Sequence, residues 1–127
     1  MKYLINYIEE AQTKAFEKAG AFFAFSDKQF EEQKKEGVKY SHIGAGLICP
    51  KENCKSLVKA LGVIHKAGME QDLKENTKEG VIKRELANHE AYYTGSIEST
   101  FDALEPYGIT AEEILTVFRK ERQLQND

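Results

Sequence analysis

The 127-residue chain has no tryptophan, two prolines and two cysteines, and each scarcity narrows what it can be. Without tryptophan the core has no single large aromatic anchor, although seven Phe, six Tyr and a 41% hydrophobic content are enough for one globular domain and argue against disorder. The two cysteines stand in "CPKENC" (Cys49 and Cys54), a spacing that fits neither CxxC redox chemistry nor a zinc knuckle. Cys49 directly precedes Pro50, and Cys54 falls in the first turn of an expected helix. A disulfide would require unwinding that turn, so both are read as reduced, semi-buried thiols. The charge surplus is also small. A net charge of −3 implies no dedicated polyanionic or polycationic partner. No stretch approaches the roughly 20 apolar residues that span a bilayer, and "MKYLINYIEEAQ" lacks the apolar core of a signal peptide. The expectation is a cytoplasmic protein with no membrane contact. No repeat, low-complexity tract or linker divides it.

What is present is mostly helical periodicity. Leu4, Tyr7, Ile8, Ala11 and Ala15 share one side of a helix over 3–19 that Gly20 ends. "AFFAFS" is short and aromatic and suits a buried strand. Ser26 and Gln29 have capping-box spacing for a short helix closed by Gly37. "VKYSHIGAGLICP" reads as a second strand, and its "GAG" is too short for a phosphate loop, so those glycines are assigned to a bulge or a close helix approach. From Pro50 a long helix carries Leu57, Leu61, Ile64 and Gly68 on one stripe. It breaks near "NTKEG", and a further helix runs over 81–93 to "TGS". Ser96 caps a helix through Leu104, and Thr110 with Glu113 forms another capping box for the last helix, whose residues 123–127 should fray. The fold class is α+β: a predominantly helical single domain over 1–127 with a small two-stranded antiparallel β element.

The stretch "ELANHEAYYTG" holds the only cluster that resembles catalytic chemistry. On a wheel starting at Val81, His89 falls at about 80°, within the stripe of Ile82, Leu86 and Tyr93. Glu85 lies one turn below it in the i,i+4 relation that lets a carboxylate orient an imidazole, while Glu90 points away. His65 could join them if its helix packs antiparallel. The bland reading is a satisfied core histidine with Glu85 as partner, and it is the favoured one. Tyr92 and Tyr93 are read as packing residues. No HExxH or Asp-rich motif points to a metal, and no cofactor is expected. Lys51, Lys55, Lys59 and Lys66 form a basic stripe opposite an apolar face, an ordinary solvated arrangement without interleaved aromatics. The helix-turn-helix outline of residues 97–120 would enter a groove with Ala111, Glu112 and Glu113, so nucleic acid is disfavoured.

Together "FFAFSDKQFEE", "GAGLICPKEN" and "ELANHEAYYTGSIESTFDALEPYGITAEEI" resemble a family of small phage and bacterial proteins of unknown function, over most of residues 15–120. The resemblance carries over no activity, catalytic residue or cofactor. An acidic residue often replaces Ser96 in relatives, which preserves an N-cap and argues against a site there. It implies a context in which small accessory proteins act by binding host or phage proteins, including components of defence. The leading expectation is therefore a non-enzymatic protein-binding accessory protein. The contact surface is expected around Phe22, Phe23 and Phe25 or the strand "GLIC", with self-association as a homo-dimer a natural use of it. The alternative is a small hydrolase using His89, Glu85 and His65, and a nucleic-acid-binding module comes third.

Overall fold

An amphipathic first helix sets the frame: α1 (Leu4–Ala19) buries Ile8 and Ala19 and ends at Gly20, as its periodicity predicts. Its last carbonyl, that of Ala19, accepts a hydrogen bond from Asn53 Nδ2 at 2.9 Å. The computed structural model describes residues 2–126, which fall into two compact units, Lys2–Gly68 and a second that begins at Met69.

In the first unit, β1 (Phe22–Phe23) is followed by α2 (Asp27–Gln33), β2 (Tyr40–Gly44) and β3 (Leu47–Pro50). The sheet has three antiparallel strands in the order β1-β3-β2, not the two expected. The difference lies in "GAG". Ala45 and Gly46 both have positive φ, 52° and 82°, the signature of the two-residue turn that matches strand twist, so one expected strand is a hairpin. The register slips between His42 and Gly44, which places the bulge at Ile43 rather than at a glycine. Because β3 pairs on both sides, "GLIC" offers no open edge.

Alternation along the strands sorts the side chains. Leu47 and Cys49 join Ala19 and Leu57 in one core, flanked by Ala15, Phe16, Ile43 and Leu61. On the other face Ile48 is 1% exposed, between its register partners Phe22 and His42. A short 3-10 turn (Lys51–Asn53) leads into α3 (Cys54–Asn88). Gly68 is required there by a close approach, since a Cβ would collide with the methyl of Ile8.

Within the second unit α3 is interrupted at Thr77, whose φ of 64° and ψ of 160° lie far from helical values, at the break expected near "NTKEG". Thr77 Oγ1 then accepts the Gly80 N–H at 3.1 Å and caps the continuing segment. The helix expected over 81–93 stops earlier. Glu90 takes φ of 54°, leaving a single turn, α4 (Ala91–Thr94). α5 (Glu98–Leu104) and α6 (Ala111–Asn126) complete the unit. Ser96 Oγ accepts the Glu98 N–H at 3.3 Å, and Thr110 and Glu113 exchange backbone and side-chain bonds of 3.0 and 3.2 Å, the capping box read from the sequence. Val81, Leu86, Leu104, Ile109, Ile114 and Phe118 dominate this unit's core. α6 keeps helical backbone to Asn126, and the end of the segment expected to fray, Asp127, lies outside the described residues.

Candidate functional site

The aromatic segment after α1 divides across the sheet. Phe22 turns toward Phe30 of α2 and Tyr40 of β2, with ring centres 6.3 and 5.5 Å apart. Phe23 turns the other way, edge-on to Phe16 at 5.6 Å. Phe25 stacks on Phe23 at 6.2 Å with planes 11° apart, and the two rings are 73% and 45% exposed. Of the three phenylalanines singled out from sequence, the structure thus joins two in an exposed pair and places the third in a partly covered cluster.

The backbone beneath that pair is well held. Ala24 N–H continues the ladder to Gly46 O at 2.9 Å, and Phe25 N–H donates to Gln29 Oε1 at 2.7 Å. Gln33 Nε2 donates to Phe23 O at 3.0 Å, occupying a carbonyl at the sheet margin that an added strand would need. The Phe25 ring lies over the hairpin turn so closely that a Cβ on Gly46 would strike it. Two exposed rings are therefore fixed by α2 on one side and the turn on the other.

In the second unit His89 and Glu85 form no joint site among the described residues. His89 is half-buried at the end of α3, and its ring makes no hydrogen bond among the described residues. Glu85 is not its side-chain partner. The Glu85 carboxylate accepts from Arg84 Nε at 3.3 Å, because a guanidinium next door outcompetes an imidazole at a helix end. His65 belongs to the first unit, where Nδ1 lies 3.0 Å from the carbonyl oxygen of Leu61. Tyr93 is 91% exposed, contrary to its packing assignment, because the break at Glu90 rotates it off the stripe; Tyr92 stacks on Phe118 at 5.7 Å as expected. Lys51, Lys55, Lys59 and Lys66 are all exposed and form no ion pair among the described residues. Among the described residues no group of three or more His, Cys, Asp or Glu is placed to hold a metal. No helix is long and apolar enough to cross a membrane, again among the described residues.

A polar cluster went unread in the sequence. Arg84 donates through Nη1 and Nη2 to the two oxygens of Asp72 at 2.7 and 2.9 Å, Tyr107 Oη–H donates to Asp72 at 2.6 Å, and Asn76 Nδ2 donates at 2.8 Å. Asp72 is fully buried and Arg84 nearly so. Burial alone would raise the Asp72 pKa, but these donors and the guanidinium charge hold it below the usual carboxylate range. Burial and the Asp72 carboxylate push the Tyr107 phenol upward, so it stays a donor. The two charges at its centre are shut away from water, with Asn76 and Tyr107 half-buried around them, and its chemistry is that of a brace. Elsewhere in this unit Lys78 lies 2.7 Å from Glu113, and with the Thr110 bonds it holds that carboxyl down to about 2.

Both thiols are free, and Cys54 Sγ–H points to the Cys49 carbonyl at 3.7 Å. Cys49 is fully buried rather than semi-buried, since β3 is central. Burial, and then the neighbouring Cys54 thiol, push its pKa up to about 11. Titration under denaturing, non-reducing conditions is expected to count two thiols per chain, with Cys49 unreactive until the protein unfolds; a native disulfide would give none.

Residues 4–125 match the model of one protein family, described as a family of unknown function (DUF7659). No curated protein and no solved structure matches the chain.

Proposed function

We propose, for a chain that belongs to the DUF7659 family of unknown function and so inherits no activity from it, a non-enzymatic protein-binding role centred on Phe23 and Phe25. One observation carries this reading: of two phenyl rings stacked at 6.2 Å, Phe25 stands largely in water and Phe23 nearly half so, while the backbone and the turn beneath them are fixed. Adjacent exposed apolar rings are costly to hydrate, and rings held in place before contact lose little entropy on binding. Such a pair suits an anchor in a protein interface. A second copy of the chain is the partner that requires nothing else, giving a homo-dimer. The resemblance to small phage and bacterial proteins extends the proposal to an accessory role in the cytoplasm, directed at a host or phage protein and against host defence. The hydrolase reading has no comparable support, since Glu85 is engaged by Arg84.

Light scattering over a range of concentrations tests this against Phe23→Ser/Phe25→Ser. The wild type is expected to gain mass with concentration, or to retain a host protein on affinity capture that the double variant loses, while the variant's far-UV circular dichroism is unchanged. A strictly monomeric wild type whose captured proteins are the same as the variant's would overturn the proposal.

A further inference from the structure

Beside the exposed pair, on the Ile48 face of the sheet, lies a small depression of about 280 Å³. Ile48 and Ala24 line it together with the rings of Phe25 and Phe30, His42 of β2, and Asp27 at the start of α2. Its volume falls below the roughly 300–1,000 Å³ typical of small-molecule and cofactor sites and suits one side chain better. Asp27 is its one acidic residue, and no Lys or Arg takes part.

We infer that this depression receives a cationic side chain, Lys or Arg, from the protein partner of the Phe23–Phe25 surface. The faces of phenyl rings carry the negative part of the ring quadrupole and attract an ammonium or guanidinium, and a nearby carboxylate adds a full opposite charge. The chain itself supplies an instance: Lys34 Nζ lies 6.0 Å from the centre of the Phe30 ring. Phe25, 73% exposed, gives the alkyl stem of such a side chain an apolar wall to lie along, which is how Lys and Arg use mixed surfaces. The sheet keeps the walls apart. His42 and Ile48 are register partners across β2 and β3, and the Phe30 ring stands 6.4 Å from that of His42. Phe25 is shared between the exposed stack and this depression, so a partner that covers the rings has a basic residue within reach of Asp27.

This inference rests on the protein-binding reading, but its test needs no partner. The full-length, isotope-labelled protein is titrated with N-acetyl-lysine methylamide, N-acetyl-arginine methylamide and the uncharged N-acetyl-norleucine methylamide, following backbone amide shifts. The two cations are expected to move the amides of Ala24, Asp27, His42 and Gly46 and to bind about two- to fivefold more tightly than the norleucine compound. Asp27→Asn should abolish that preference, and Phe25→Ala should weaken both cations. Equal binding of norleucine would make the site merely apolar and overturn the inference. So would shifts scattered away from these amides, or a preference that survives Asp27→Asn. Failure here leaves the light-scattering result untouched, and a monomeric wild type leaves this titration untouched.

Discussion

Replacing Arg84 by Met is expected to lower the unfolding free energy by about 3–5 kcal/mol, because it leaves the Asp72 carboxylate buried without its cation. Asp72 and Arg84 are twelve residues apart, about 18 Å along a straight helix, yet meet through two bonds of 2.7 and 2.9 Å. They can do so only because the helix turns at Thr77, so the pair braces the bend. Tyr107 and Asn76 remain as neutral donors and recover part of the loss. The double replacement Asp72→Leu/Arg84→Met should restore part of it, since an apolar pair of similar volume avoids the desolvation that a lone charge suffers while Tyr107 and Asn76 lose their acceptor. Acid supplies a second test. The folded Asp72 pKa lies below its ordinary 3.8, so its contribution is complete above that value and fades as the pH falls through the folded pKa. In the Met variant burial without the guanidinium raises the Asp72 pKa, so protonation relieves the uncompensated charge already above about pH 4. The gap between the two proteins should start to narrow there and go on narrowing below it as the wild type loses its own contribution. Urea unfolding midpoints across pH read both effects. An unchanged midpoint at neutral pH would contradict the brace.

Thr77→Gly is expected to stabilise the protein by about 1 kcal/mol. Thr77 has φ of 64° and ψ of 160°, a region essentially reserved for glycine, and a β-branched residue held there costs about 1–3 kcal/mol. Against this relief stand the loss of the Thr77 cap on Gly80, a few tenths of a kcal/mol when Gly replaces Thr, and the greater freedom of an unfolded glycine, about 0.4–1 kcal/mol. Thr77→Ala should do the reverse, keeping the strain while losing the cap, and should cost about 1 kcal/mol. If both variants move thermal unfolding in the same direction, strain at Thr77 is not what sets its energy.

Helix ends were the most legible part of the sequence, because capping chemistry is local. Gly20, Ser26 and the Thr110–Glu113 pair all act within three residues of where they stand. Turns that need positive φ from an ordinary residue were not. Ala45 and Glu90 carry no mark of it, so "GAG" passed for a loosened strand and "ANHEAYY" for continuous helix. The break at Glu90 also turns Tyr93 into water and leaves His89 at a helix end. The exposed phenylalanines could be suspected from alternation alone, which forbids adjacent residues one covering face. The Asp72 brace could not be read, because Asp72, Arg84 and Tyr107 are joined only by the bend at Thr77 and the return of the chain at Glu105–Tyr107. Charged residues at those spacings look like any solvated helix face.

The order in which the strands are synthesised differs from their order in the sheet. β3 is the last of the three to leave the ribosome, yet it occupies the centre, between β1 and β2. When Leu47, Ile48 and Cys49 emerge, both of their neighbours already exist, one of them joined by a two-residue loop that closes within microseconds. The chain's most buried strand therefore never has to wait for a partner to be translated, and the interval in which it could pair with a neighbouring nascent chain is short.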